Sequence, residues 1–209
     1  MKTRMILAAA VLGIAGAAQA GTILQPAAIS STLVGWGWDL NWTINQAGLS
    51  SNYVSGVTDF DSFVATATNG AGWLGGWTGP MGDNPNGFVD FDLGAEYTIE
   101  SFASWESQGP AGANGEMASF SMYASNDPAF STFTHLGDYV GSYDPFGTAP
   151  DVYSFAPTSA RYVRLHILSF YTGDIAFGEF AFEQSVVPAP AATALLGLGG
   201  VMSLRRRRR

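Results

Sequence analysis

Thr58-Asp59-Phe60-Asp61 sets two carboxylates two residues apart. In an extended chain that spacing puts both on one face, where oxygen ligands suit a hard divalent cation. A solvated acidic turn has the same spacing, and the residue order of an EF-hand loop is missing. Trp73 and Trp77 lie in a Gly- and Pro-rich stretch, residues 69–87, that reads as a long loop. Aromatic rings there suit stacking on a sugar, with packing against the core as the alternative. Tyr143, in a second loop at 141–150, is the third aromatic ligand candidate. Trp36, Trp38 and Trp42 fit either core packing or an exposed platform. No zinc-peptidase, nucleophile-elbow, phosphate-loop or dinucleotide motif is present, and neither His135 nor His166 has a nucleophile motif beside it. Seventeen acidic residues allow many carboxylate pairs, but nothing selects one for glycosidase chemistry. The chain reads as non-catalytic.

The elements that must position these groups are strands. Val89, Phe91 and Leu93 alternate with Asp90 and Asp92 before Gly94 breaks the run, which predicts a half-buried strand and a turn. Further strands are predicted at 97–105, 119–125, 132–140, 151–155, 160–168 and 175–183, with a first strand or lead-in at 22–31. Long helical periodicity is absent, and Gly, Ser, Thr and aromatics abound. This composition predicts an all-β, antiparallel sandwich or barrel in a single domain over residues 21–185.

Both ends differ from this body. Lys2 and Arg4 precede an apolar run, and Ala18-Gln19-Ala20 forms a small-residue cleavage site, so residues 1–20 read as a signal peptide. At the other end, residues 186–209, Val187-Pro188-Ala189-Pro190 is extended and non-helical. An uncharged run at 191–204 follows. As a helix it spans roughly 21 Å, short of a ~30 Å hydrocarbon core. Arg205, Arg206, Arg207, Arg208 and Arg209 then resist translocation and hold the C-terminus on the cytoplasmic side. With the ends set aside, Arg161 and Arg164 face all seventeen carboxylates, so the body is near −15 where the whole chain is −8. Such a domain repels nucleic acid and anionic lipid and suits cations, neutral glycans or cationic polymers. With no cysteine, disulfides and thiolate sites are excluded.

The order of Pro motif, short apolar helix and Arg cluster resembles the PEP-CTERM sorting signal of Gram-negative bacteria, although Ala189 stands where that family usually has Glu. The resemblance implies an exosortase as partner, transient membrane anchoring and delivery to the cell surface or extracellular matrix. Within the body, Val89-Asp90-Phe91-Asp92-Leu93-Gly94, Tyr123-Ala124-Ser125-Asn126-Asp127, Ala160-Arg161-Tyr162-Val163-Arg164-Leu165 and Gly178-Glu179-Phe180 come in order. Together they resemble the galactose-binding-like jelly roll of discoidin (coagulation-factor C-type) domains and many carbohydrate-binding modules. This implies a β-sandwich of about eight antiparallel strands, ligands held by loops at one end, and a structural Ca²⁺ for which Asp59, Asp61 and Glu179 are the candidate ligands. The expected function is that of an exported surface or matrix protein binding extracellular polysaccharide. A structural or adhesion protein is the alternative, and a small secreted hydrolase is a third.

Overall fold

The computed structural model describes residues 21–33, 39–69, 77–79, 87–106, 117–143, 148–171 and 175–185. Its strands are β1 (Thr22–Leu24), β2 (Ala28–Ser31), β3 (Trp77–Gly79), β4 (Gly87–Glu106), β5 (Met117–Ser125), β6 (Thr134–Val140), β7 (Asp151–Phe170) and β8 (Ile175–Gln184). All pairings are antiparallel. The strand order is β1-β8-β4-β7-β5-β6, with β2 on β4 and β3 on β8.

β4 and β7 are each 20 residues long, where the sequence predicts two strands apiece. A straight strand would hold Phe91 and Phe102 about 36 Å apart. Their ring centres lie 6.1 Å apart, so β4 folds back over itself. The bend falls at Gly94, at φ 86°, within the register shift between Asp92 and Tyr97. β7 stays paired across the same corner, with Tyr162 opposite Asp92 and Ala160 opposite Tyr97. The sequence break at Gly94 is thus a sheet corner, not a strand end.

Folding at this corner makes two layers. One holds β2, the first half of β4, the second half of β7, β5 and β6. The other holds β1, β3, β8, the second half of β4 and the first half of β7. Phe91 meets Phe180 and Phe182 edge-on at 5.1 and 5.3 Å, and Tyr153 meets Phe120 edge-on at 4.9 Å, closing the core between them. The predicted lead-in at 22–31 divides between the layers as β1 and β2.

A second core lies on the outer side of the β8 layer, where residues 40–69 cover Trp105, Ala103 and Ala181 with Tyr53, Phe60, Phe63 and Ala67. Trp105 Nε1 donates to Ala67 O at 3.0 Å. Here the sequence suggests extended chain around Asp59, but the structure has a short helix, α1 (Phe60–Val64). Asp59 is its N-cap, its Oδ1 accepting from Ser62 N at 2.8 Å. Among the described residues no helix is long and apolar enough to cross a membrane.

Candidate functional site

The register brings Gly87, Glu106, Met117, Val140, Asp151, Phe170 and Ile175 to one end of the sandwich. Tyr143 and Tyr171 stand there with ring centres 5.2 Å apart, 53% and 39% exposed. Tyr171 Oη donates to Gly141 O at 2.8 Å, which fixes its ring. Beside them Asp151 accepts from Ser142 N at 3.0 Å, Ser142 Oγ at 2.8 Å and Tyr153 Oη at 3.0 Å. Burial and the nearby Asp151 carboxylate raise the Tyr153 pKa, so its hydroxyl stays a donor. The result is an exposed aromatic surface beside a carboxylate whose orientation is fixed before any ligand arrives.

Glu179 occupies a different environment. Its residue is 0% exposed, under the segment that carries Asn45, Gln46 and Tyr53. Oε2 accepts from Gln46 N at 2.9 Å, and Gln46 sits at φ 66° with its side chain tied to Tyr53 N and Gln25. Among the described residues Oε1 has no hydrogen-bond partner, nor has the buried Tyr53 Oη. Burial pushes the Glu179 pKa up to about 9, against the pull of the Gln46 and Asn45 amides. Burial first, and then the Glu179 carboxylate, raise the Tyr53 pKa as well. A buried carboxylate oxygen without a partner fits one arm of a hard-cation site.

The structure does not bring the three sequence-predicted metal ligands together. Asp59 and Asp61 lie near Glu183, whose pKa is raised chiefly by burial and also by Glu100, Asp61 and Asp59. Asp59 is already satisfied as a helix cap. Among the described residues no three His, Asp or Glu side chains gather as a metal cluster. A cation at Glu179 would therefore take its other oxygens from groups other than Asp59 and Asp61.

Of the aromatic candidates, Tyr143 lies in the exposed strand-end surface. Trp77 belongs to β3, its backbone opposite Phe177, and its side chain lies outside the described residues. Trp36, Trp38 and Trp73 lie outside the described residues altogether, as do Ala18, Ala20, Val187, Pro188, Pro190 and Arg205 to Arg209. Trp42 is described and is 36% exposed. The sequence did not single out Tyr171, Gln46 or Tyr53. Tyr171 had a signal, an aromatic immediately beyond an alternating strand, whereas Gln46 and Tyr53 had none in local pattern.

The F5/8 type C domain profile matches residues 50–179. No curated protein matches the chain. Among solved structures, the galactose-bound family 32 CBM of NanJ from C. perfringens superposes with TM-score 0.55 at 13% identity, over 78% of this chain and 98% of its own. CpGH89CBM32-5 of Clostridium perfringens, bound to GalNAc-β-1,3-galactose, gives TM-score 0.52 at 16% identity over 74% and 93%. A variant of chitosan-binding module 1 from a Paenibacillus sp. IK-5 chitosanase/glucanase gives 0.53 at 14% over 78% and 98%. At these identities the likeness is one of fold. With the profile spanning more than half its length, the chain belongs to the F5/8 type C domain family.

Proposed function

We propose that the chain is an exported, non-catalytic protein whose F5/8 type C domain binds an extracellular saccharide at the strand-end surface around Tyr143 and Tyr171. The observation that carries this is the exposed tyrosine pair, with Tyr171 tied to Gly141 O, beside the Ser142–Asp151 hydrogen bonds. The rings offer a face to the C–H side of a sugar and the polar groups a rim for its hydroxyls. The saccharide-bound neighbours support the ligand class. The N-terminal leader directs export, and the PEP-CTERM-like tail hands the protein to an exosortase, leaving the domain at the cell surface or in the matrix.

In this reading Glu179 holds a structural Ca²⁺, which on binding neutralises a buried carboxylate. The chain's own part is to hold Oε2 on the Gln46 amide and to shield the site beneath the segment that carries Tyr53.

The test is binding of the full chain to the producer's own exopolysaccharide and to galactose. Saturable binding is expected, and Tyr143→Ala is expected to weaken it about tenfold, the value of one stacked ring. Undiminished binding by that variant would move the site elsewhere, and no saturable binding by folded protein would remove the reading.

A further inference from the structure

The outer side of the five-stranded layer carries a second aromatic surface, on a different face from Tyr143 and Tyr171. Phe88 and Asp90 on β4 pair with His166 and Arg164 on β7, and Tyr123 on β5 stands opposite Arg164 on its other side. His166 comes five residues before Tyr171, about 16 Å along an extended strand. The Arg164 guanidinium lies between two rings, 4.5 Å from the centre of Phe88 and 4.2 Å from that of Phe130. Its Nε and Nη2 donate to the two Asp90 oxygens at 2.6 and 2.7 Å, so the pair carries no net charge. Phe133, 59% exposed, meets Tyr123 edge-on at 5.2 Å. A hollow of about 240 Å³ opens among Phe88, Tyr123, Phe130, Phe133, Arg164 and His166.

Phe130 is held there at a cost. It is one of two non-glycine residues with positive φ among the described residues, at 53°. That left-handed conformation is strained for a residue with a side chain. The turn enforces it: Phe130 N donates to Asp127 O at 3.0 Å, Ala129 N and Ser131 N donate to the Asp127 carboxylate at 3.0 and 2.9 Å, and Ser125 Oγ donates to Thr132 O at 2.7 Å. A second hollow of about 180 Å³ also touches Phe130, lined in part by Ser30, Asp92, Pro128 and Tyr162. Phe130 therefore borders two adjacent hollows on one face.

We infer that this face is a second saccharide-binding surface, with two ring-sized subsites meeting at Phe130 that take a neutral saccharide lying across the strands. The class follows from the lining. The exposed Phe133 ring and its neighbour Tyr123 offer aromatic surface beside the Tyr123 hydroxyl and the edge of the Arg164 guanidinium, matching a pyranose's apolar face and hydroxyl edge. The Asp90–Arg164 pairing leaves no uncompensated guanidinium to prefer an anionic sugar. The Asp90 fork and the Asp127 turn fix the rings in advance, which lowers the ordering cost of binding. The inference shares its ligand class with the strand-end reading but stands on a different face, so each can fail without the other.

The test is NMR titration of the full chain with galactobiose, cellobiose and N,N′-diacetylchitobiose at up to about 10 mM, the weak-binding range, with dimannuronate as the anionic control. At least one neutral disaccharide is expected to shift Tyr123, Phe133 and His166 signals saturably, and its monosaccharide to bind more weakly. Phe133→Ala is expected to weaken those shifts about tenfold while leaving shifts at Tyr143 unchanged, because Phe133 is exposed and its loss spares the core. Phe133→Trp is expected to restore them. Shifts confined to Tyr143 and Tyr171, tighter binding of dimannuronate, no response to any neutral disaccharide, or indifference to Phe133→Ala would each overturn the inference.

Discussion

In metal-free buffer, folding stability is expected to fall as pH rises from about 4.5 towards 9, and Glu179→Gln is expected to remove most of that slope. The Glu179 pKa moves from 4.5 to about 9 on folding because the carboxyl is buried, against the pull of the Gln46 and Asn45 amides. A raised carboxyl pKa means that the folded state keeps its proton where the unfolded state has lost it. Its stability is whole below 4.5 and is lost progressively as pH rises to the folded value. One proton gives a slope of about 1.4 kcal/mol per pH unit, so the window amounts to at most about 6 kcal/mol. That is comparable with the whole stability of a small domain, about 5–15 kcal/mol. Glu183 adds in the same direction. Asp59, Asp92, Asp127 and Asp138 act oppositely, their lowered pKa values giving stability that is lost only below the ordinary carboxylate range. The alkaline-going loss therefore reports the buried glutamates. Bound Ca²⁺ changes the sign of the problem, since the ionised form then has a counter-charge. Millimolar Ca²⁺ is expected to flatten the slope and raise Tm by several degrees at pH 8, and Glu179→Gln to abolish both responses. Urea titrations from pH 5 to 9, with Ca²⁺ and with EDTA, make the measurement. A flat profile shared by wild type and variant, with no calcium response, would show that Glu179 is neither desolvated nor a ligand.

The strands were legible because their signal is local. The alternation in 88–93, 119–125, 160–168 and 175–183 falls within β4, β5, β7 and β8. What alternation does not carry is the folding of a strand over itself. Gly94 reads as a terminator, and only the partner strand bending at the same place turns that break into a corner. The same limit governs the candidate site. Tyr143 stands out as a candidate because a loop aromatic is a local feature, but the ring beside it, Tyr171, comes from beyond the next strand. Asp59 and Asp61 were grouped with Glu179 on the family pattern, whereas the crossing of residues 40–69 over the β8 layer decides which carboxylates meet. That crossing places Glu179 under Gln46 and leaves the two aspartates beside Glu183. A separation of more than a hundred residues holds no information about such a meeting until the layers are packed.

Two neighbouring residues separate these levels energetically. Phe91→Ala is expected to lower stability by about 3–5 kcal/mol, the usual loss for a fully buried phenylalanine. Phe91 is 1% exposed and lies against Phe102 of its own strand and Phe180 and Phe182 of β8, so its removal opens a cavity between the two layers. Asp90→Ala, one position away on the outer side, is expected to cost about 1–2 kcal/mol. It breaks a bidentate bond to Arg164, but both side chains are about one-quarter exposed, so water replaces part of what is lost. Urea midpoints for the two variants compare them directly. The larger loss at Phe91 would place most of the sandwich's stability in the apolar contact between its layers. A larger loss at Asp90 would shift it to the outer Asp–Arg pair, making Arg164 a structural tie of the sheet before it is a wall of any ligand site.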